Sequence, residues 1–132
     1  MKGDMTAAQY RKKAGDEHAI QVSIIQFLDR TLPSFVRAVA VSNKPRSRIQ
    51  GYLEKQRGAR TGFPDIIILR EGGISGLIEV KKEGGRLSQE QIEWRDWCGG
   101  NAIPYAVVRS VEDVQQTLKE WCILTGEADG SR

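Results

Sequence analysis

The chain has 132 residues, about one domain of the usual size, and its 39% hydrophobic and 28% charged content is that of an ordinary globular protein. Its longest apolar runs, such as Ile66-Ile67-Ile68-Leu69, fall far short of the roughly 20 residues a membrane helix needs, and the N-terminus leads into polar residues instead of an apolar signal core, so the expectation is a cytoplasmic protein with no membrane segment. The net charge of +3 is mild, the single histidine, His18, excludes chemistry built on a histidine pair, and the distant cysteines Cys98 and Cys122 suggest no disulfide framework or zinc site and read as small buried hydrophobes.

In chain order, residues 1–14 are polar and lack an apolar period, so they are expected to be a flexible segment. Asp16 is expected to cap a helix to about Arg30, in which Ile20, Ile24, Phe27 and Leu28 recur at helical spacing, Glu17 and Gln21 share their stripe, and Pro33 lies beyond the end. The β-branched run Phe35–Ser42 reads as a strand, and Ser47–Arg57 as a short helix stopped by Gly58. Two further strands, Asp65–Leu69 and Gly76–Lys81, are joined by the turn Glu71-Gly72-Gly73. Ser88 with Gln91 three residues on forms a capping-box pattern that opens a helix closed by Gly99-Gly100. Tyr105–Val108 is a strand, and Ser110 with Asp113 starts a last helix through about Cys122. Residues 125–132 have the composition of a frayed tail, which leaves 15–124 as the folded domain. The plan is α/β, a mixed sheet flanked by helices in the order αβ(α)ββαβα, with a crossover through the Ser88 helix.

The chemistry gathers around the two central strands. Strand side chains alternate, so Glu79 and Lys81 project from one face while Val80 points to the other. Asp65 opens the preceding strand, and a hairpin turning at Gly72-Gly73 brings it beside Glu79. Two converging carboxylates suit a hard divalent cation, Mg²⁺ in particular, next to a phosphate substrate. The lysine could orient or deprotonate a water or stabilise the charged transition state, so phosphodiester hydrolysis is the reaction implied. A solvent-facing strand pair is the alternative, but these charges adjoin aliphatic runs, where an unpaired charge is expensive.

Gly62-Phe-Pro-Asp65, Gly76-Leu-Ile-Glu79-Val-Lys81, Gly84-Gly-Arg-Leu-Ser-Gln-Glu-Gln91 and Tyr105-Ala-Val-Val-Arg-Ser110, preceded by Glu17-x-x-x-Gln21, closely resemble the VRR-NUC family of the PD-(D/E)XK nuclease superfamily over residues 16–122. That resemblance implies a restriction-endonuclease-like core. It implies that Asp65 and Glu79 bind Mg²⁺ or Mn²⁺ with the Val80 carbonyl as a further ligand, that Lys81 is the catalytic lysine, and that Glu17 completes the site. Gln91 matches a family glutamine of the site, against a pure capping role. The substrate implied is branched DNA such as a Holliday junction, cut by a homodimer. The alternatives are a non-catalytic DNA-binding module that keeps the fold, and a restriction-type enzyme cutting linear duplex.

Residues 44–60 hold six basic residues, Lys44, Arg46, Arg48, Lys55, Arg57 and Arg60, against the single acid Glu54, so the remainder of the chain is slightly acidic. Such a segment is the footprint of a phosphate-backbone contact. Arg86, in the glycine-bearing loop before Ser88, is a further candidate for DNA binding. Trp94, Trp97 and Trp121 are read as core or interface residues in preference to base-stacking platforms.

Overall fold

The structure, a computed structural model, describes residues 7–41 and 47–124, so residues 1–6, the expected C-terminal tail, Lys44 and Arg46 lie outside the described residues. It contains α1 (Ala7–Thr31), β1 (Val36–Ala40), α2 (Arg48–Gln56), β2 (Ile66–Arg70), β3 (Gly73–Val80), α3 (Gln89–Gly100), β4 (Tyr105–Val108) and α4 (Val111–Glu120). This is an α/β fold with one four-stranded mixed sheet, of order β1-β2-β3-β4, and four helices among the described residues. None of those helices is long and apolar enough to cross a membrane. The chain divides into two compact units, one of residues 1–32, 80–85 and 107–132, the other of residues 33–79 and 86–106.

The second unit carries β1, α2, β2, α3 and nearly all of β3. β1 runs antiparallel to β2, and β2 antiparallel to β3, with Ile66 opposite Ile78 and Ile67 opposite Leu77. The β2–β3 connection is the tight turn expected, but β3 starts three residues earlier than Gly76, because Gly73 already pairs with Arg70. The register slips between Ile68 and Leu69, a bulge near the turn that leaves the pairing at Ile66 and Ile67 regular. β4 lies parallel to β3: Leu77 N–H donates to the Pro104 carbonyl at 2.9 Å, and four residues on Lys81 N–H donates to the Val108 carbonyl at 2.9 Å. The parallel pair is reached by a crossover through α3. Ile66, Ile68 and Ile78 are fully buried on one sheet face.

The first unit is built on α1 and α4. Ile24 and Leu28 on α1, and Val114 and Leu118 on α4, each four residues apart, are fully buried, and the two helices pack together. α1 begins at Ala7, nine residues before the expected start at Asp16. The segment Ala-Ala-Gln-Tyr-Arg-Lys-Lys-Ala is made largely of good helix formers, so propensity extends the helix where no apolar stripe announces it. Asp16 is therefore interior and caps nothing.

Ser47, Ser88 and Ser110 are the N-caps of α2, α3 and α4, each accepting a hydrogen bond from the backbone three residues on. The C-termini share one motif. Beyond each helix a residue adopts the left-handed conformation, and the next N–H reaches back to close the last turn: Ala59 to Glu54 at 2.9 Å, Ile103 to Cys98 at 2.9 Å and Ile123 to Leu118 at 2.8 Å. Gly58 fills that position after α2, but Ala102 (φ 59°) and Cys122 (φ 62°) fill it after α3 and α4. This corrects the expectation that Gly99-Gly100 closes α3: both glycines are helical, and the break falls two residues later. Cys98 is buried as expected, whereas Cys122 is exposed on its turn.

Candidate active site

In the sheet-bearing unit, Asp65 N–H donates to the Ile78 carbonyl at 3.0 Å, and the Asp65 carbonyl accepts from Val41 N–H at 2.8 Å. Asp65 therefore lies directly before β2 with hydrogen bonds toward both neighbouring strands, its N–H meeting Ile78, the residue that Ile66 also pairs with, and Glu79 follows Ile78 in β3. Opposed residues of an antiparallel pair share a face, so the register presents Ile67 and Leu77 to one side, with Glu79 two residues beyond Leu77, and the buried isoleucines to the other; the charges of Glu79 and Asp65 both reach the Tyr105 phenol. The parallel pairing sets Tyr105 beside Leu77, on the side of the carboxylates.

Glu79 is only 2% exposed. A carboxylate taken out of water needs hydrogen bonds or counter-charge, and one donor comes from α3: Gln91 Nε2 donates to Glu79 Oε2 at 2.9 Å. The other end of the same amide, Oε1, accepts from Ser88 N–H at 2.8 Å and completes the capping box. One side chain serves both the cap and the carboxylate, because the two ends of a carboxamide have opposite polarity.

The approach to Asp65 is fixed by Gly62, whose φ is 83°. A Cβ there would fall 2.7 Å from Glu90 Cβ and 2.8 Å from Glu90 C, distances no side chain can hold against backbone, so only glycine lets this loop lie on the first turn of α3. Trp94 Nε1 donates to the Thr61 carbonyl at 3.2 Å, and the Phe63 and Trp94 rings meet edge to face at 5.0 Å. The Thr61–Asp65 segment is thereby held against the helix that carries Gln91. Trp94 is partly buried, and Trp97 is 54% exposed, so of the core and interface roles expected for it the core is not the one it fills within this chain.

In the other unit, Glu17 Oε2 lies 3.5 Å from the Lys82 backbone nitrogen, at the outer limit of a hydrogen bond. Lys81 is partly exposed and Val80 is buried. The same unit contains Arg109, which lies within one of the sequence motifs without a role assigned to it there. Its Nη1 donates to the Lys82 carbonyl at 2.7 Å and to the Gly85 carbonyl at 2.8 Å, bracing the loop after Lys81. Its signal in the sequence is a cation directly after the apolar run Val107-Val108, and it is partly buried where a surface charge would be exposed.

Tyr105 likewise carries no role in the sequence motif. Its hydroxyl is buried and makes no hydrogen bond among the described residues. Burial pushes the phenol up from its ordinary value, and the negative charge of Glu79 pushes it further in the same direction.

The carboxylates of Asp65 and Glu79, whose charges both reach the Tyr105 phenol, are hard oxygen donors of the kind that Mg²⁺ or Mn²⁺ takes. Among the described residues no three His, Cys, Asp or Glu side chains cluster as a ready metal cage. Of the DNA-binding candidates, Arg48, Lys55, Arg57 and Arg60 lie on α2 or just beyond it and are exposed, as is Arg86 before Ser88.

The family model of the VRR-NUC domain matches residues 5–112. A solved structure titled "VRR_NUC domain protein" is similar with a TM-score of 0.60 at 18% identity, over 80% of this chain and 86% of that one. Another, "VRR_NUC domain", gives a TM-score of 0.54 at 19% identity, over 80% of this chain and 95% of that one. At these identities the likeness is one of fold. No curated protein matches the chain.

Proposed function

The chain belongs to the VRR-NUC domain family, a nuclease-type domain, and from that premise we propose that it is a divalent-metal-dependent DNA endonuclease whose reacting groups are Asp65, Glu79 and Lys81. The observation that carries this reading is Glu79, buried at 2% exposure and hydrogen-bonded by Gln91, next in β3 to Ile78, whose carbonyl accepts from Asp65 N–H, with the charges of both acids reaching the Tyr105 phenol. A Mg²⁺ or Mn²⁺ ion held by these carboxylates, with the Val80 carbonyl as a further ligand, would neutralise the charge that develops on a phosphodiester.

The chain's own groups do the rest. Gln91 fixes one Glu79 oxygen and leaves the carboxylate no freedom to rotate toward solvent. Lys81, two residues on, supplies an ammonium to the developing phosphorane charge or accepts the proton of the attacking water. Arg109 and Glu17 position the backbone that follows Lys81, and Glu17 is retained as a further acidic member of the site. Arg48, Lys55, Arg57, Arg60 and Arg86, with Lys44 and Arg46, contact the phosphate backbone, and the substrate is branched DNA bound by a homodimer, whose two sites would nick two symmetry-related strands.

The test is cleavage of single-stranded, duplex, flap and four-way-junction DNA by purified protein, with Mg²⁺, Mn²⁺ or EDTA. Wild type is expected to cut a branched DNA only with metal. Asp65→Ala and Lys81→Met are expected to abolish cutting while most DNA affinity remains. Full metal-dependent cutting by either variant would refute the assignment, and DNA binding without cutting by wild type would favour a non-catalytic module.

A further inference from the structure

One side of α3 carries a recess that the hydrolytic reading leaves unused. Thr61, Glu90, Glu93, Trp94 and Trp97 line an open cavity of about 260 Å³, the room of roughly nine waters at about 30 Å³ each. Its wall is aromatic. Phe63, Trp94 and Trp97 form a ladder of edge-to-face contacts, at 5.0 Å between the first two rings and 5.8 Å between the last two. Phe63 and Trp94 are partly buried within it, and Trp97 leaves about half its surface to solvent at the open end. A tryptophan this exposed, held in place by the ring behind it, is a stacking surface with its orientation already fixed.

The polar rim narrows what can enter. Glu90 and Glu93 are among its lining residues, Glu93 with one carboxylate oxygen accepting from Gln89 Nε2 at 3.4 Å, and carboxylates repel phosphate and accept hydrogen bonds from amino groups. A nucleobase with an exocyclic amine satisfies both parts of the recess: every base offers a flat face to tryptophan, and cytosine, adenine or guanine offers amino N–H donors to a carboxylate. A thymine offers no such amine.

The recess is also indexed to the carboxylate pair. Gln91, bonded to Glu79, lies three residues before Trp94 and six before Trp97 on the same helix. At about 1.5 Å and about 100° per residue the wall therefore lies about 4.5 to 9 Å along the axis and about 60° to 120° around it from Gln91. With a base-pair rise of about 3.4 Å, that distance is within about three nucleotides of a phosphate at the carboxylates. A base still paired and stacked in a duplex cannot turn into such a recess, whereas an unpaired one can.

We propose that this recess binds an unpaired, amino-bearing nucleobase, cytosine, adenine or guanine, of a DNA strand whose phosphate lies at Asp65 and Glu79. The inference rests on the DNA-cleaving reading above and gives it a source of selectivity for interrupted duplex.

The experiment measures binding in EDTA, so that it does not depend on catalysis. The probes are a duplex with a single bulged cytosine, the same duplex with a bulged thymine, with an abasic bulge, and fully paired. Wild type is expected to bind the cytosine bulge about tenfold more tightly than the abasic bulge, the scale of one base–aromatic stack. Trp97→Ala is expected to erase that ratio and Trp97→Phe to keep part of it, with thermal unfolding establishing that both are folded. Glu93→Gln is expected to narrow the preference for cytosine over thymine.

Equal binding of cytosine and abasic bulges by wild type would overturn the proposal, as would an undiminished ratio in Trp97→Ala. So would a Trp97→Ala variant altered in its oligomeric state alone, which would make the recess a protein contact. These outcomes are separate from the parent reading: metal-dependent cleavage by wild type with no bulge preference removes the recess alone, and a bulge preference without cleavage removes the nuclease.

Discussion

Replacing Gln91 by glutamate changes one end of one side chain and sets two interactions against each other. The acceptor for Ser88 N–H is kept, at 2.8 Å in the native protein, so the helix cap survives. The donor that lies 2.9 Å from Glu79 Oε2 becomes a second carboxylate oxygen. The hydrogen bond to a charged group that disappears is worth about 1.5–3 kcal/mol, to which repulsion adds. The total has a ceiling, because the two carboxylates can take up one proton between them, and the introduced side chain, once protonated, would again donate to Glu79. Binding that proton at pH 7 costs about 1.4 kcal/mol for each of the roughly 2.7 pH units above an ordinary glutamate, or about 3.7 kcal/mol. The expected deficit at neutral pH is therefore about 2–4 kcal/mol. Its sign with pH follows: the folded variant holds a proton that the unfolded chain has released, so stability is kept in acid and lost as pH rises. Urea unfolding of Gln91→Glu and wild type from about pH 4 to 8 reads this directly, and Mn²⁺ should restore part of the deficit by sharing the carboxylates. A variant within about 0.5 kcal/mol of wild type at pH 7, or a deficit that does not change with pH, would refute the argument that this amide holds Glu79.

Tyr105 is raised by burial and by Glu79, so its contribution to stability is intact below about pH 10 and is lost as pH climbs beyond; absorbance titration should find one of three tyrosines ionising only with unfolding, and Tyr105→Phe should remove that step. Cys98 is buried and its thiol is pushed up by burial, while Cys122 is exposed, so mass spectrometry after alkylation should show one label on the native protein and two in denaturant. Ala102→Gly and Cys122→Gly relieve left-handed residues at φ 59° and 62°, and each should raise stability by up to about 1 kcal/mol in urea unfolding. Charge reversal at Arg48 and Arg57 should lower DNA affinity and flatten its logarithmic dependence on salt by about 0.9 for each phosphate no longer neutralised, and an unchanged slope would place the DNA elsewhere.

What the sequence made legible followed from short-range rules. Ser88 and Ser110 announced their helices because a cap is an interaction within four residues, and the aliphatic runs around Ile66 and Ile78, with glycines between, defined the hairpin. The signals failed where a partner lies across the chain. Tyr105 and Arg109 take their neighbours from a parallel pairing reached through a helix, and no local pattern specifies that register. The start of α1 was missed for the opposite reason, since propensity without an apolar stripe leaves no period to detect. The end of α3 was misplaced because glycine is the usual left-handed residue, and here alanine occupies that position. Trp97 was read as core or interface by residue type, but it faces away from the side on which its neighbour Cys98 is buried and ends the aromatic ladder in solvent.

The position of Gln91 gives these features a common frame. A capping box can be built with any N3 side chain that accepts a hydrogen bond, and glutamate is the other common choice, but only the amide also donates to a buried carboxylate. The first turn of α3 is therefore tied to β3 through Glu79, while Gly62 lets the chain leading to Asp65 close on the same turn. Both carboxylates are thus referenced to one helix terminus, and the tryptophans are referenced to it by the rise of that helix. Because the α-helix is stiff over three turns, a base stacked on Trp97 would sit at a set distance from a phosphate at the carboxylates. The choice of strand position and the chemistry of cutting would then be fixed by a single rigid element, without any loop having to move.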